Sequence, residues 1–114
     1  MREGLYRASF FKTDPELGIP RDEFGRGVVN LREGKIVGGD SNYFYAGTYA
    51  LDGTKLEATV TVTPHTAIDR RTLFSRGAIL DLKGSADAAG IRCGGMISTS
   101  PGDSIQIRLT WLVE

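Results

Sequence analysis

Chemistry needs side chains that converge, and this chain has few that could. It holds one histidine, His65, and one cysteine, Cys93, far apart in sequence. A transition-metal centre needs His, Cys or carboxylate ligands at set spacings, so neither a metal nor a cofactor is expected. His65 has Asp69 four residues on, and serines occur elsewhere, but no Gly-x-Ser-x-Gly motif is present. A lone loop histidine is ordinarily a solvated side chain. Cys93, with Arg92 beside it on the opposite strand face, reads as a small buried hydrophobe. Gly38-Gly39-Asp40 lacks the Gly-Lys-Ser/Thr ending of a phosphate loop and reads as a turn with positive φ. No catalytic residue is expected, and the chain does not read as an enzyme.

Charge narrows the partners. Fourteen Lys+Arg balance fourteen Asp+Glu over 114 residues, a formal net charge of zero. That balance argues against a protein that grips nucleic acid or an anionic membrane through bulk charge. Arg70-Arg71 and Arg76 form the one basic cluster, and Asp69 beside it favours a solvated loop over a phosphate contact. A single cysteine excludes an intramolecular disulfide and fits a reducing compartment. The opening Met-Arg-Glu-Gly-Leu-Tyr lacks the apolar core of a signal peptide, and no stretch is apolar enough for a membrane span, so a cytoplasmic location is expected.

These residues need elements to position them, and 114 residues make one domain, 1–114. Fifteen glycines recur between short apolar runs, the pattern of many strands joined by tight turns. Strands are expected over residues 5–11, 25–32, 35–37, 43–51, 55–63, 76–83, 91–98 and 105–113. The fifth is the clearest: Leu56, Ala58, Val60 and Val62 alternate with Glu57, Thr59, Thr61 and Thr63, a period of two that no helix tolerates. Glu33-Gly34 and Asp52-Gly53 are hairpin signals. Residues 12–24 read as a surface loop with room for one helical turn, and 85–89 as a small-residue turn. Gly94-Gly95 suggests a bulge or corner. Eight antiparallel strands in sequence leave two exposed edges unless they close. We therefore expect an all-β, eight-stranded antiparallel up-and-down barrel, with a two-sheet sandwich as the alternative.

The apolar phases place Tyr6, Phe10, Leu31, Tyr43, Tyr45, Tyr49, Leu56 and Trp111 inside such a barrel. Small residues share those phases, so the interior is either filled or leaves room for one apolar guest. Tyr6, Tyr43, Tyr45, Tyr49 and Trp111 would line that guest's site. Phe44 lies on the outward phase with Ala46 and Ala50, as a self-association surface or beneath the 12–24 loop.

The first half of the chain carries a further pattern. Gly4-Leu5-Tyr6 opens a strand, Gly25-x-Gly27 opens the next, Gly34-Lys35-Ile36-Val37-Gly38-Gly39-Asp40 follows, and Tyr45-Ala46-Gly47 completes it. Over residues 4–63 this resembles the GrlR-like negative regulators of type III secretion. The resemblance implies a lipocalin-like barrel of eight strands, cytosolic, homodimeric and without enzymatic activity. It implies regulation of transcription by protein–protein contact with an activator protein. Where the best-described member of that family carries an acidic run in the hairpin after Tyr-x-Gly, this chain has one acid, Asp52. Asp52 and Phe44 are therefore the candidate partner-binding residues. The alternative function is a carrier or sensor holding a lipid-like or aromatic molecule inside the barrel.

Overall fold

The computed structural model describes residues 2–67, 77–88 and 90–114. Arg70, Arg71, Arg76 and Asp69 lie outside those residues. Eight strands run β1 (Gly4–Thr13), β2 (Pro20–Arg32), β3 (Lys35–Gly39), β4 (Tyr43–Asp52), β5 (Lys55–Pro64), β6 (Ala78–Asp87), β7 (Gly90–Ile97) and β8 (Ser100–Val113). Each pairs antiparallel with the next, and β8 returns to β1, so the sheet is a closed up-and-down barrel. Closure removes both edges, as the expected fold requires.

Alternation sets which way each side chain points. On β5, Leu56, Ala58, Val60 and Val62 are buried while Glu57, Thr59 and Thr61 face water. The same phase on β1 buries Tyr6, Ala8 and Phe10. Tyr6 stands opposite Val29 on one side and Trp111 on the other, so β1 ties both ends of the sheet to one core. Leu31, Leu80, Ile91, Ile97 and Ile105 are the largest side chains sealed from solvent.

Several connections differ from the sequence expectation. Residues 12–24 are mostly strand: β1 runs to Thr13 and β2 starts at Pro20, leaving six residues between them. Asp14 closes that turn, its Oδ1 accepting from the N–H groups of Glu16 (2.9 Å) and Leu17 (3.0 Å). The outer part of β2 has water on both faces, so no alternation marked it as strand. Glu33 and Gly34 turn the β2–β3 hairpin with φ of 53° and 78°, the type I′ geometry that Gly eases. The β4–β5 turn is Gly53-Thr54, one residue later than expected, because Asp52 and Lys55 are already paired.

Three stretches expected as a turn, a turn and a bulge are regular strand. Gly38 and Gly39 lie in β3 without positive φ; a Cβ on Gly38 would sit 2.0 Å from the Val28 carbonyl oxygen. Residues 85–87 continue β6, where a Cβ on Gly84 would fall 1.9 Å from the Arg92 carbonyl oxygen. Gly94-Gly95 carries no bulge; a Cβ on Gly95 would meet the Asp81 oxygen at 1.7 Å. Close approach of the neighbouring paired strand, not chain reversal, demands glycine at these three sites. The irregularity lies at Met96/Ile97, and β8 includes the Pro101-Gly102-Asp103 stretch expected as a loop.

Candidate functional site

Two places could serve a partner: the interior and the outer wall. Among the described residues no three metal-ligating side chains cluster.

The interior is nearly filled. Its cavity holds about 40 Å³ and is lined by apolar surface, including Phe10, Tyr45, Tyr49, Val60, Leu80 and Cys93. An apolar space of that size stays dry, and it is far below the ~300–1,000 Å³ of sites that take a small molecule. Of the five residues expected to line a guest site, Tyr45 and Tyr49 reach this cavity. Tyr6 is buried in the core, and Tyr43 and Trp111 pack against it half-buried. Burial pushes the Cys93 thiol up to about 12, so it stays protonated and unreactive.

One end of the barrel is closed by Tyr45. Its hydroxyl donates to Asp40 Oδ2, and its ring packs on Phe10 with centroids 5.4 Å apart. Gly27 leaves the room: a Cβ there would lie 2.9 Å from the Tyr45 oxygen. Asp40 Oδ1 accepts from the N–H groups of Asn42 and Tyr43, each at 2.8 Å. His65 Nε2 lies 3.0 Å from the Asp40 carbonyl oxygen, so the histidine ties the β5 end to this loop. Burial, and then the Asp40 carboxylate that accepts its proton, hold the Tyr45 phenol well above its ordinary pKa. Tyr45 is a latch, not a proton carrier.

The other end is closed by Tyr6 and Trp111. The Tyr6 hydroxyl donates to the Arg2 carbonyl oxygen, and the Arg2 guanidinium lies 3.9 Å from the Trp111 ring centre. Trp111 Nε1 is buried without a hydrogen-bond partner among the described residues.

The outer wall is built by register. Val28 stands beside Gly39, and Gly39 beside Phe44. Val37 stands beside Ala46, Ala46 beside Thr61, and Thr61 beside Ile79. Val28, Val37, Phe44 and Ile79 are 41%, 61%, 46% and 47% exposed, which makes an uncharged face from β2 to β6, its apolar residues interleaved with Asn30, Thr61 and Thr63. The β1–β2 turn does not cover Phe44: Gln106 donates to the Gly18 carbonyl oxygen, which places that turn against β8. Asp52 lies at the opposite end of β4, eight residues and roughly 26 Å from Phe44, so the two candidate contact residues do not form one site.

The sequence reading missed Asp40 as the hub of the Tyr45 latch. An Asp whose Oδ1 accepts from the N–H groups two and three residues on is a turn signal, but its second oxygen finds Tyr45 only in three dimensions. No protein-family model matches this chain, and no curated protein matches it.

Proposed function

We propose that this protein is a non-enzymatic regulatory binding protein that works through its outer wall and acts as a cytoplasmic homodimer. The observation that carries the reading is the uncharged face around Val37 and Phe44, on a barrel whose interior is packed. Monomeric proteins seldom leave a large continuous apolar patch in water. A two-fold dimer brings a patch onto a copy of itself, so like charges would clash across it. The outward positions from Val28 to Ile79 are Val, Asn, Gly, Phe, Ala, Thr and Ile, with no charge among them. The resemblance to GrlR-like regulators supports the same reading and supplies the partner class, a transcriptional activator.

Sedimentation of wild type and of Val37→Glu tests it. A dimer that the substitution converts to a folded monomer supports the reading; a wild-type monomer at micromolar concentration overturns it.

The carrier reading has one observation in its favour, the unpartnered Trp111 indole N–H at the Tyr6 end. A guest with an acceptor oxygen would satisfy that donor, after the Arg2 contact opens. Titration with fatty acids and aromatic amphiphiles, read by Trp111 fluorescence, tests it; an unchanged spectrum overturns it.

A further inference from the structure

The neutral total charge conceals a segregated one. Arg92 on β7 and Arg108 on β8 are directly opposite each other in the ladder. Lys83 on β6 faces Gly94, diagonal to Arg92, and Arg7 on β1 faces Thr110, diagonal to Arg108. Four cations thus cross four neighbouring strands on one outer surface. Like charges placed opposite each other in a sheet are destabilising, and threonine, used throughout β5, would serve the fold better there. Among the described residues, neither Arg92 nor Arg108 has a carboxylate within ion-pair distance.

Beside this pair the surface dips. Gly94, two residues along β7 from Arg92, has no side chain, and the groove there, about 510 Å³, is flanked by Lys83 on β6 and Gln106 on β8, with the Arg92–Arg108 pair at one end. Arg108 is steadied by the Phe11 ring, 5.3 Å from its guanidinium carbon. Strands β7–β8 stand four places round the barrel from β3–β4, so this groove faces away from the Val37–Phe44 face.

We propose that the groove over Gly94, beside the Arg92–Arg108 pair, docks an acidic peptide segment of a partner protein. Guanidinium forks match carboxylates in paired hydrogen bonds, which a short Glu/Asp-rich strand presents at side-chain spacing. A nucleic acid fits worse. The stripe is only four strands wide, roughly 14 Å, and carboxylates bound it: Glu57 lies 4.0 Å from Lys83, Asp87 ends β6, and Glu23 pairs with Arg26. A long polyanion would meet those acids, and the chain has no surplus positive charge to offset them. The inference rests on the binding-protein reading but not on the dimer.

The test is fluorescence polarisation of a labelled hexaglutamate peptide against the full chain at low salt. Saturable binding is expected, weakened about tenfold or more in the Arg92→Gln/Arg108→Gln double variant, and changed less than about twofold in Lys35→Gln, an exposed cation on β3 at the far side of the barrel. The double variant is expected to melt at or above the wild-type temperature, because a like-charge contact has been removed. Absence of binding, binding indifferent to the double variant, tighter binding of a thymidine oligonucleotide of equal charge, or a lower melting temperature of the double variant would each overturn the proposal. Sedimentation in the same buffer keeps the two readings apart. A monomer that binds the peptide removes only the dimer, and a dimer that ignores it removes only the groove.

Discussion

The Tyr45 hydroxyl donates a hydrogen bond to the Asp40 carboxylate, and Asp40 is held in turn by the N–H groups of Asn42 and Tyr43. This pairing closes one end of the barrel with a bond between β4 and the loop that precedes it. It also explains the aromatic stack behind it, where Phe10 holds the Tyr45 ring in place.

Tyr45→Phe keeps the ring and removes the bond. It is expected to cost about 1–2 kcal/mol near neutral pH, measured by urea unfolding. The pH dependence has a definite sign. The folded phenol titrates above its unfolded value, so its stabilisation is complete below about pH 10 and is lost as the unfolded tyrosine ionises above that. The gap between wild type and Tyr45→Phe should therefore narrow in alkali. A gap that is absent at pH 7, or that widens in alkali, contradicts the latch.

Gly95→Ala places a methyl group 1.7 Å from the Asp81 carbonyl oxygen. Backbone cannot give way there without parting β6 from β7, so the variant should lose more than ~4 kcal/mol or fail to fold. Gly53→Ala, with nothing within 4 Å but a φ of 63°, should lose only ~1–2 kcal/mol. Thermal melts of the two variants rank them, and equal losses would refute the close approach of β6 as the reason for Gly95.

These glycines also mark where sequence reading stops. The β5 alternation and the Gly34 turn were legible because each is local, a period of two and a positive φ. Gly38-Gly39 looked like a turn and Gly94-Gly95 like a bulge or corner because glycine has two uses, and only the paired strand shows which applies. Residues 20–24 were unreadable as strand because a hairpin projecting into water buries neither face. Phe44 was placed outward correctly by its phase. The Arg92–Arg108 pair depends on register between separate strands, and the Asp40–Tyr45 bond, though it spans five residues, on how the loop turns Asp40 back onto β4.

Asp14 gives a second pH test, at the opposite extreme. The N–H groups of Leu17 and Glu16, and then Arg21, hold its carboxyl below the usual carboxylate range. Its stabilisation is present above the ordinary carboxylate pKa and is lost as pH falls through the lowered folded value. Asp14→Ala should melt below wild type at neutral pH, and the two should converge in strong acid. A difference that persists in strong acid would contradict this role.

The most direct measurement is native mass spectrometry of freshly purified protein, set against the same sample denatured. A packed barrel that works through its wall should appear at twice the 12.4 kDa chain mass, with no added mass. A monomer, or a species carrying a stoichiometric guest released on denaturation, would contradict it.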